Sequence, residues 1–221
     1  MNRLHRLGLV STLALLACDP RVQGNGELAV EHRAVAPFDE VEVSLGIEAA
    51  ITANAAPQSL ALSGDSNLLP FILTPVEAGV LKTRLREFSA IDPINPLRLT
   101  AQDAALRRVQ ATEASIIDVK GAGSPVDGFA FEVEAAGQSS VKLAGPGGHR
   151  LEVNLSGGSA LDASAYPVAG ANVLLTGRSS LRVHSASGVA GVAADRSAVV
   201  VTGGGDCAGL SLLREATCEV Q

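Results

Sequence analysis

Hydrophobic and polar residues alternate along the second half of the chain, and the alternation returns at a nearly constant interval. Five segments align on a shared serine, with spacings of 24, 20, 20 and 18 residues. These serines are Ser115, Ser139, Ser159, Ser179 and Ser197. A degraded sixth copy places Ala216 in the same column, 19 residues after the fifth serine. Alternation with a period of two is typical of a β-strand that buries one face.

Each repeat predicts two short strands on either side of a tight Gly-Xaa-Ser corner. Apolar residues occupy the positions four and six before the serine and two and four after it, for example Val153, Leu155, Leu161 and Ala163. One such unit cannot bury its own apolar face, whereas stacked units can, as in a solenoid. We therefore predict an all-β fold, a right-handed parallel β-helix with less regular coils in its N-terminal half. An antiparallel sandwich is the alternative that the pattern leaves open.

One outward column tests the stacking, because its members would be neighbours. The position three after the serine is occupied by Asp118, Lys142, Asp162, Arg182, Val200 and Glu219. The first four alternate in sign, and opposite charges attract when strands stack in register. Another column would place Glu132 beside Glu152, so the alternation of charge is not general.

The first residues read as an export signal. Arg3 and Arg6 precede a mostly apolar stretch over residues 7–16. That stretch is too short to span a bilayer and fits a secretory h-region. Ala17-Cys18 follows it and resembles the lipobox of bacterial lipoproteins, in which the cysteine is acylated and becomes the mature N-terminus. An ordinary signal peptide cut near Ala17, with an incidental cysteine, is the alternative.

These features divide the chain into three parts. We predict a signal peptide over residues 1–17, a short tether over 18–25, and a single solenoid domain over 26–221, with the most regular repeats in 107–221. Lipid attachment at Cys18 would make the membrane a partner and place the protein in a bacterial cell envelope. The sequence leaves open whether the inner or the outer membrane holds the anchor.

Composition narrows the classes of partner. The net charge is −6, tryptophan is absent and aromatic residues make up 3% of the chain. A basic footprint for phosphates and aromatic platforms for stacked bases are therefore both missing. We expect no nucleic-acid partner.

Candidate chemistry is sparse. A nucleophilic serine needs a base within hydrogen-bond reach, and no histidine recurs at a fixed offset from the serine column. His149 and His184 fall at different offsets, which gives no converging set of metal ligands. We predict no catalytic, cofactor or metal residues, and we interpret the five serines as a structural ladder at the corners.

Two cysteines lie close together near the C-terminal end. Cys207 and Cys218 are 11 residues apart, and an oxidising envelope would allow a disulfide bond between them. Cys218 falls in an inward column, so a buried free thiol is the competing interpretation.

Several stretches resemble a known family. The segments are residues 31–38 (EHRAVAPF), 41–46 (VEVSLG), 60–70 (LALSGDSNLLP), 77–82 (EAGVLK) and 96–100 (PLRLT), together with the recurrent Gly-Xaa-Ser corners. They are similar to the head GIN domain family, also called auto-transporter adhesins, over roughly residues 26–220. The resemblance implies a secreted or lipid-anchored bacterial protein with a β-helical fold and no catalytic residues. Glu113-Ala114 and Asp195 stand where the family has small residues, so we expect wider corners there.

These observations give one functional expectation and two alternatives. We expect a non-enzymatic envelope lipoprotein with an adhesin-like surface that binds an envelope polymer or a protein. A polysaccharide-acting β-helix enzyme and a structural assembly factor are the alternatives. The sequence identifies neither the protein or polysaccharide ligand nor the oligomeric state.

Overall fold

The chain forms a β-solenoid, with 59% of residues in strands and 2% in helix. The structure is a computed structural model that describes residues 21–86, 90–103, 105–123 and 128–221. The all-β fold class predicted from the repeats is confirmed.

Short strands follow one another throughout the described residues. The N-terminal elements are β1 (Arg21–Gln23), β2 (Leu28–His32), β3 (Glu40–Val43), β4 (Glu48–Ala53), β5 (Ser59–Asp65), the 3-10 helix η1 (Leu69–Phe71), β6 (Ile72–Leu73), β7 (Val76–Glu77), β8 (Val80–Lys82), β9 (Arg84–Leu85), β10 (Ala90–Asp92) and β11 (Arg98–Asp103). The C-terminal elements are β12 (Arg108–Ala111), β13 (Ile116–Lys120), β14 (Ala130–Ala135), β15 (Ser140–Ala144), β16 (Gly148–Leu155), β17 (Ala160–Leu175), β18 (Ser180–Ser185), β19 (Val189–Ala193), β20 (Ala198–Thr202), β21 (Gly209–Leu212) and β22 (Thr217–Val220).

Each coil, here called a rung, contributes one strand before the corner and one strand after it. Strands before the corner form the leading sheet, in the order β8, β3, β12, β14, β16, the end of β17, β19 and β21. Strands after the corner form the trailing sheet, in the order β11, β4, β13, β15, the start of β17, β18, β20 and β22. β17 is long enough to run through both sheets.

Neighbouring rungs pair in parallel with equivalent residues opposite one another. Ser140 lies opposite Ala160, and Ala160 lies opposite Ser180. The N–H group of Ser140 donates to the carbonyl of Ser115 at 2.9 Å, and that of Ala160 donates to the carbonyl of Ser139 at the same distance. This pairing rules out an antiparallel sandwich over the repeats.

The core is a set of stacked columns of small and medium apolar side chains. Val109, Val133, Val153 and Val173 form one such column, and none is more than 5% exposed. Burial of a valine or leucine side chain contributes about 1.5–3 kcal/mol, so each rung is stabilised mainly by the rungs above and below it. In the last rung this cover is missing, and Val220 is 52% exposed although it continues an inward column.

The first rung is separated from the others by a long insertion. β3 pairs with β12 through Val41 and Val109, and β4 pairs with β13 through Ala49 and Ile117. The corner between β3 and β4 puts Ile47 where the later rungs carry serine. The intervening chain turns back and covers this end with antiparallel strands, since β5 pairs antiparallel with both β2 and β11. The N-terminal end is therefore a mixed sheet.

A buried carboxylate holds the loops of this N-terminal end together. Asp65 is 0% exposed, and its oxygens accept hydrogen bonds from the N–H groups of Gly26, Ile94 and Asn95 and from the Asn95 amide, at 2.6–3.1 Å. Burial raises the pKa of this carboxyl, but the hydrogen bonds outweigh it and hold the pKa of Asp65 below its ordinary value.

Candidate functional site

The five serines of the repeat line up along one edge of the solenoid and point inward. Each is no more than 1% exposed. The hydroxyl groups of Ser139, Ser159 and Ser179 donate to the carbonyl three residues earlier, at 2.7–2.8 Å. They bind their own corners, as expected of structural hydroxyls, and no substrate could reach them without opening the core.

The other two corners differ from the prediction. We expected wider turns at Glu113-Ala114 and at Asp195, and this expectation is wrong. Glu113 and Asp195 adopt positive φ values of 55° and 57°, close to the 64° of Gly157 in a regular corner. The difference lies in the hydroxyl groups instead, since those of Ser115 and Ser197 are buried with no hydrogen-bond partner among the described residues.

The cysteine residues singled out from the sequence fall in two places. Cys18 lies outside the described residues. The Sγ atoms of Cys207 and Cys218 lie 1.98 Å apart, at bonding distance, and link the segment before β21 to β22 in the last rung.

The outer face of the leading sheet forms a shallow trough that is lined by polar side chains. Two adjoining concavities of about 460 Å³ and 440 Å³ both include Asn172 in their lining. Asn172 donates to Glu152 at 2.9 Å, and Arg150 lies 3.6 Å from the same carboxylate. The trough spans the strands from β12 to β19, and its floor is opened by small residues such as Gly170 and Gly191.

One end of this trough brings together two acidic side chains and one basic side chain, which the sequence analysis did not place together. Arg108 lies 2.8 Å from Glu134 and 3.7 Å from Glu132, while Glu132 is stacked directly on Glu152 as the sequence predicts. Arg108 stands seven residues before Ser115, in the same column as Glu132 and Glu152, but no second basic residue repeats in that column, so it was not recognised as their partner. Its register opposite Glu132, set by the pairing of β12 with β14, is what places it there.

The outer face of the trailing sheet carries the alternating charges. Asp118 lies opposite Lys142, Lys142 opposite Asp162, and Asp162 opposite Arg182. Burial raises the pKa of Asp162, but hydrogen bonds from Ser164 and the nearby charges of Arg182 and Lys142 outweigh it, so this pKa lies below its ordinary value.

The described residues contain no cluster suited to metal binding. Across residues 21–86, 90–103, 105–123 and 128–221, no three His, Cys, Asp or Glu side chains are placed to hold a metal ion together. Nδ1 of His184 lies 3.5 Å from the hydroxyl of Thr202 on the trailing sheet. Within the same residues, no helix has the length and apolar character needed to cross a membrane.

Comparisons with known proteins agree on the fold. A profile of the family described as "Putative auto-transporter adhesin, head GIN domain" matches residues 37–205. A structure from Bacteroides fragilis, described as "a putative adhesin", is 13% identical and matches 90% of this chain and 98% of its own, with a TM-score of 0.67. A structure from Parabacteroides distasonis, described as "Putative lipid binding protein", is 12% identical over 91% of this chain and 100% of its own, with a TM-score of 0.61. No match was found among curated proteins.

Proposed function

Since this chain belongs to the head GIN domain family, we propose that it is a non-enzymatic, lipid-anchored envelope protein that binds an extended ligand on the outer face of its leading sheet. The family and the solved structure from Bacteroides fragilis are described as adhesins, which supports an adhesin-like role at the cell surface. The finer parts of the proposal, namely the anchor, the face and the ligand, follow from this chain's own residues.

The anchor rests on the N-terminal sequence. Arg3, Arg6 and the apolar stretch over 7–16 form an export signal, and Ala17-Cys18 provides the acylation site. Several acyl chains on Cys18 would give stable membrane attachment, because each buried CH₂ group contributes about 0.8 kcal/mol. Residues 18–25 would then act as the tether of the solenoid.

The trough of the leading sheet is the observation that carries the binding proposal. Its amide and carboxylate groups repeat at the spacing of the rungs, about 4.8 Å, so a polymer can meet several equivalent hydrogen-bonding positions in a row. Asn172 and Asn154 both expose groups that donate and accept, which suits the hydroxyl groups of a neutral polysaccharide. Leu174, which is 46% exposed, adds an apolar patch beside them.

A binding array of glycans and envelope extracts tests this proposal. We expect the purified full chain to retain one class of neutral polysaccharide, and the double substitution Asn154→Ala with Asn172→Ala to reduce that binding at least tenfold. A matched pair on the outer face of the trailing sheet, Thr52→Ala with Thr100→Ala, should leave binding unchanged. Binding that is insensitive to the Asn154 and Asn172 pair would reject the leading face as the site.

A cleavage assay tests the alternative of a polysaccharide-acting enzyme. Arg108 beside Glu132 and Glu134 is the cluster on which polysaccharide cleavage would depend. Incubation with a panel of acidic and neutral polysaccharides should give no shortened products. Turnover that is lost in Glu134→Gln would overturn the non-enzymatic proposal.

The anchor and the assembly alternative are tested separately. Metabolic labelling with a fatty-acid analogue should label the wild-type chain and not Cys18→Ala. A pull-down from detergent-solubilised envelopes should recover a polymer, whereas a stoichiometric protein complex independent of the trough would favour an assembly factor.

A further inference from the structure

Four charges on the trailing sheet form no ion pair in their own chain, although Asp162 accepts hydrogen bonds from Ser164 among the described residues. Asp118, Lys142, Asp162 and Arg182 stand in consecutive rungs, in register and alternating in sign. In the part of the chain that the structure describes, none of the four takes part in an ion pair within 4.0 Å. Their capacity to form ion pairs therefore remains available to another molecule.

Small side chains line the middle of the surface beside this row. From β13 to β20 the neighbouring outward column contains Ile116, Ser140, Ala160, Ser180 and Ala198. Beyond β13 it continues with Glu48 and Arg98, which pair with each other. Small side chains allow another sheet to approach to about 10 Å, the usual spacing of sheets packed face to face. Ile116 is 50% exposed and gives this face one large apolar contact.

We propose that the trailing face is a self-association surface, on which a second copy of this chain docks with its solenoid axis antiparallel. The two-fold axis lies between the rungs of Lys142 and Asp162 and runs along the strands. Each outward column then faces its own reversed image. Lys142 meets the partner's Asp162, and Asp118 meets the partner's Arg182, so the row of four charges forms four ion pairs across the interface.

The rungs beyond these four are compatible with the same arrangement. Counting outward from the axis by the observed register, Ala50 faces the partner's Val200 and Thr100 faces the partner's Glu219. In the column of small residues, Ile116 faces the partner's Ser180. No pair of like formal charges meets in these two columns.

The parallel arrangement is disfavoured by the same row. A two-fold axis along the solenoid would place each charge against the same residue of the partner, beginning with Lys142 against the partner's Lys142. All four contacts would then be between like charges, and such contacts exclude wrong arrangements effectively. The order of signs therefore specifies antiparallel docking as well as attraction.

The area of the face is sufficient for a modest interface. The trailing sheet from β11 to β22 has eight strands, so at ~4.8 Å between strands and ~3.3 Å per residue it measures roughly 34 Å by 16 Å. Two such faces cover roughly 1,100 Å², which is just below the ~1,200–2,000 Å² of standard stable complexes and within the range of weak, transient ones. Much of the attraction is electrostatic, so the dimer should weaken as salt rises.

Charge reversal tests the proposal. Sedimentation velocity on the purified full chain, in a density-matched detergent at low salt, should show a monomer–dimer equilibrium. Lys142→Glu and Asp162→Lys each turn two attractive contacts into repulsive ones and should weaken self-association roughly tenfold or more. Arg178→Glu makes the same charge change as Lys142→Glu at an exposed corner and should leave the equilibrium unchanged.

Two rescue experiments separate docking from stability. An equimolar mixture of the Lys142→Glu and Asp162→Lys chains should form a heterodimer, because each charge then meets its opposite. The double variant Lys142→Glu with Asp162→Lys should regain the homodimer, while its unfolding midpoint stays close to those of the single variants, since like charges remain stacked within its own row. A wild-type chain that stays monomeric, single variants that associate normally, or a double variant that fails to recover would each overturn the proposal.

Discussion

Two serines of the same column should respond with opposite signs when the hydroxyl group is removed. Ser159 and Ser115 are both fully buried and occupy equivalent corners. The hydroxyl of Ser159 donates to the carbonyl of Ser156 at 2.8 Å, whereas that of Ser115 has no partner among the described residues. Ser159→Ala therefore removes a hydrogen bond, and Ser115→Ala removes an unsatisfied polar group.

The expected changes in the free energy of unfolding follow from the energies of a formed hydrogen bond and of an unsatisfied hydroxyl group. A hydrogen bond of this kind contributes about 0.5–1.5 kcal/mol to folding, so Ser159→Ala should lower the free energy of unfolding by about 1 kcal/mol. A buried polar group without a partner costs about 1–3 kcal/mol, so Ser115→Ala should raise it by about 1 kcal/mol or more. The two substitutions have the same chemistry and leave voids of the same size.

Urea unfolding followed by circular dichroism measures both changes as shifts in the midpoint at a constant slope. Ser139→Ala serves as a second example of a bonded hydroxyl, donating to Ala136 at 2.8 Å, and should behave as Ser159→Ala does. If Ser115→Ala and Ser159→Ala shift the midpoint in the same direction, the hydroxyl partners do not determine the energetics of the corners.

Three further predictions concern the ends and corners of the solenoid. The disulfide between Cys207 and Cys218 closes a loop of 11 residues, and its reduction should destabilise the last rung by about 3 kcal/mol. Hydrogen exchange in β21 and β22 should then become faster. The double variant Cys207→Ser with Cys218→Ser should be insensitive to reductant. Asp65→Asn should destabilise the chain at neutral pH. Because the folded-state pKa of Asp65 is depressed, its carboxylate stabilises the fold above its ordinary pKa of about 4. The difference in free energy of unfolding between wild type and variant should therefore narrow as the pH is lowered below that value. Ala114 has a positive φ of 60°, a conformation that costs a non-glycine residue about 1–2 kcal/mol and that glycine adopts without steric strain. Part of this gain is offset because glycine loses more conformational entropy on folding. Ala114→Gly should therefore raise the melting temperature by roughly 1–3 °C, and an unchanged or lower value in calorimetry would count against strain at this corner.

The repeats could be predicted because their contacts are local in sequence. Each rung repeats after about 20 residues, so alignment on the serine gives the register directly, including Asp118 opposite Lys142. The first rung was not recognised as a repeat because Ile47 replaces the serine and the next rung begins far along the chain. Its inward residues Val41 and Ile51 follow the same alternation, which is the signal that would have identified it.

Other features depend on contacts that leave no periodic trace. The antiparallel pairing of β5 with β2 and β11 is set by turns of the insertion rather than by alternation. Asp65 gives no hint of burial in the sequence, because its hydrogen-bond donors come from loops 29 to 39 residues away. The trough around Asn172 likewise depends on five adjacent strands, and small polar residues on an outward face are ordinary in any one of them.

The long insertion after the first rung has a consequence for the order in which the chain folds. β3 and β4 need β12 and β13 as neighbours, and the equivalent residues Val41 and Val109 are separated by 68 positions. Successive C-terminal rungs close loops of only about 20 residues, and such short loops form faster than long ones. We therefore expect nucleation in the C-terminal half, so that in a chain made N-terminus first, β3 and β4 are covered only on the side of β8 and β11 until β12 and β13 have been made.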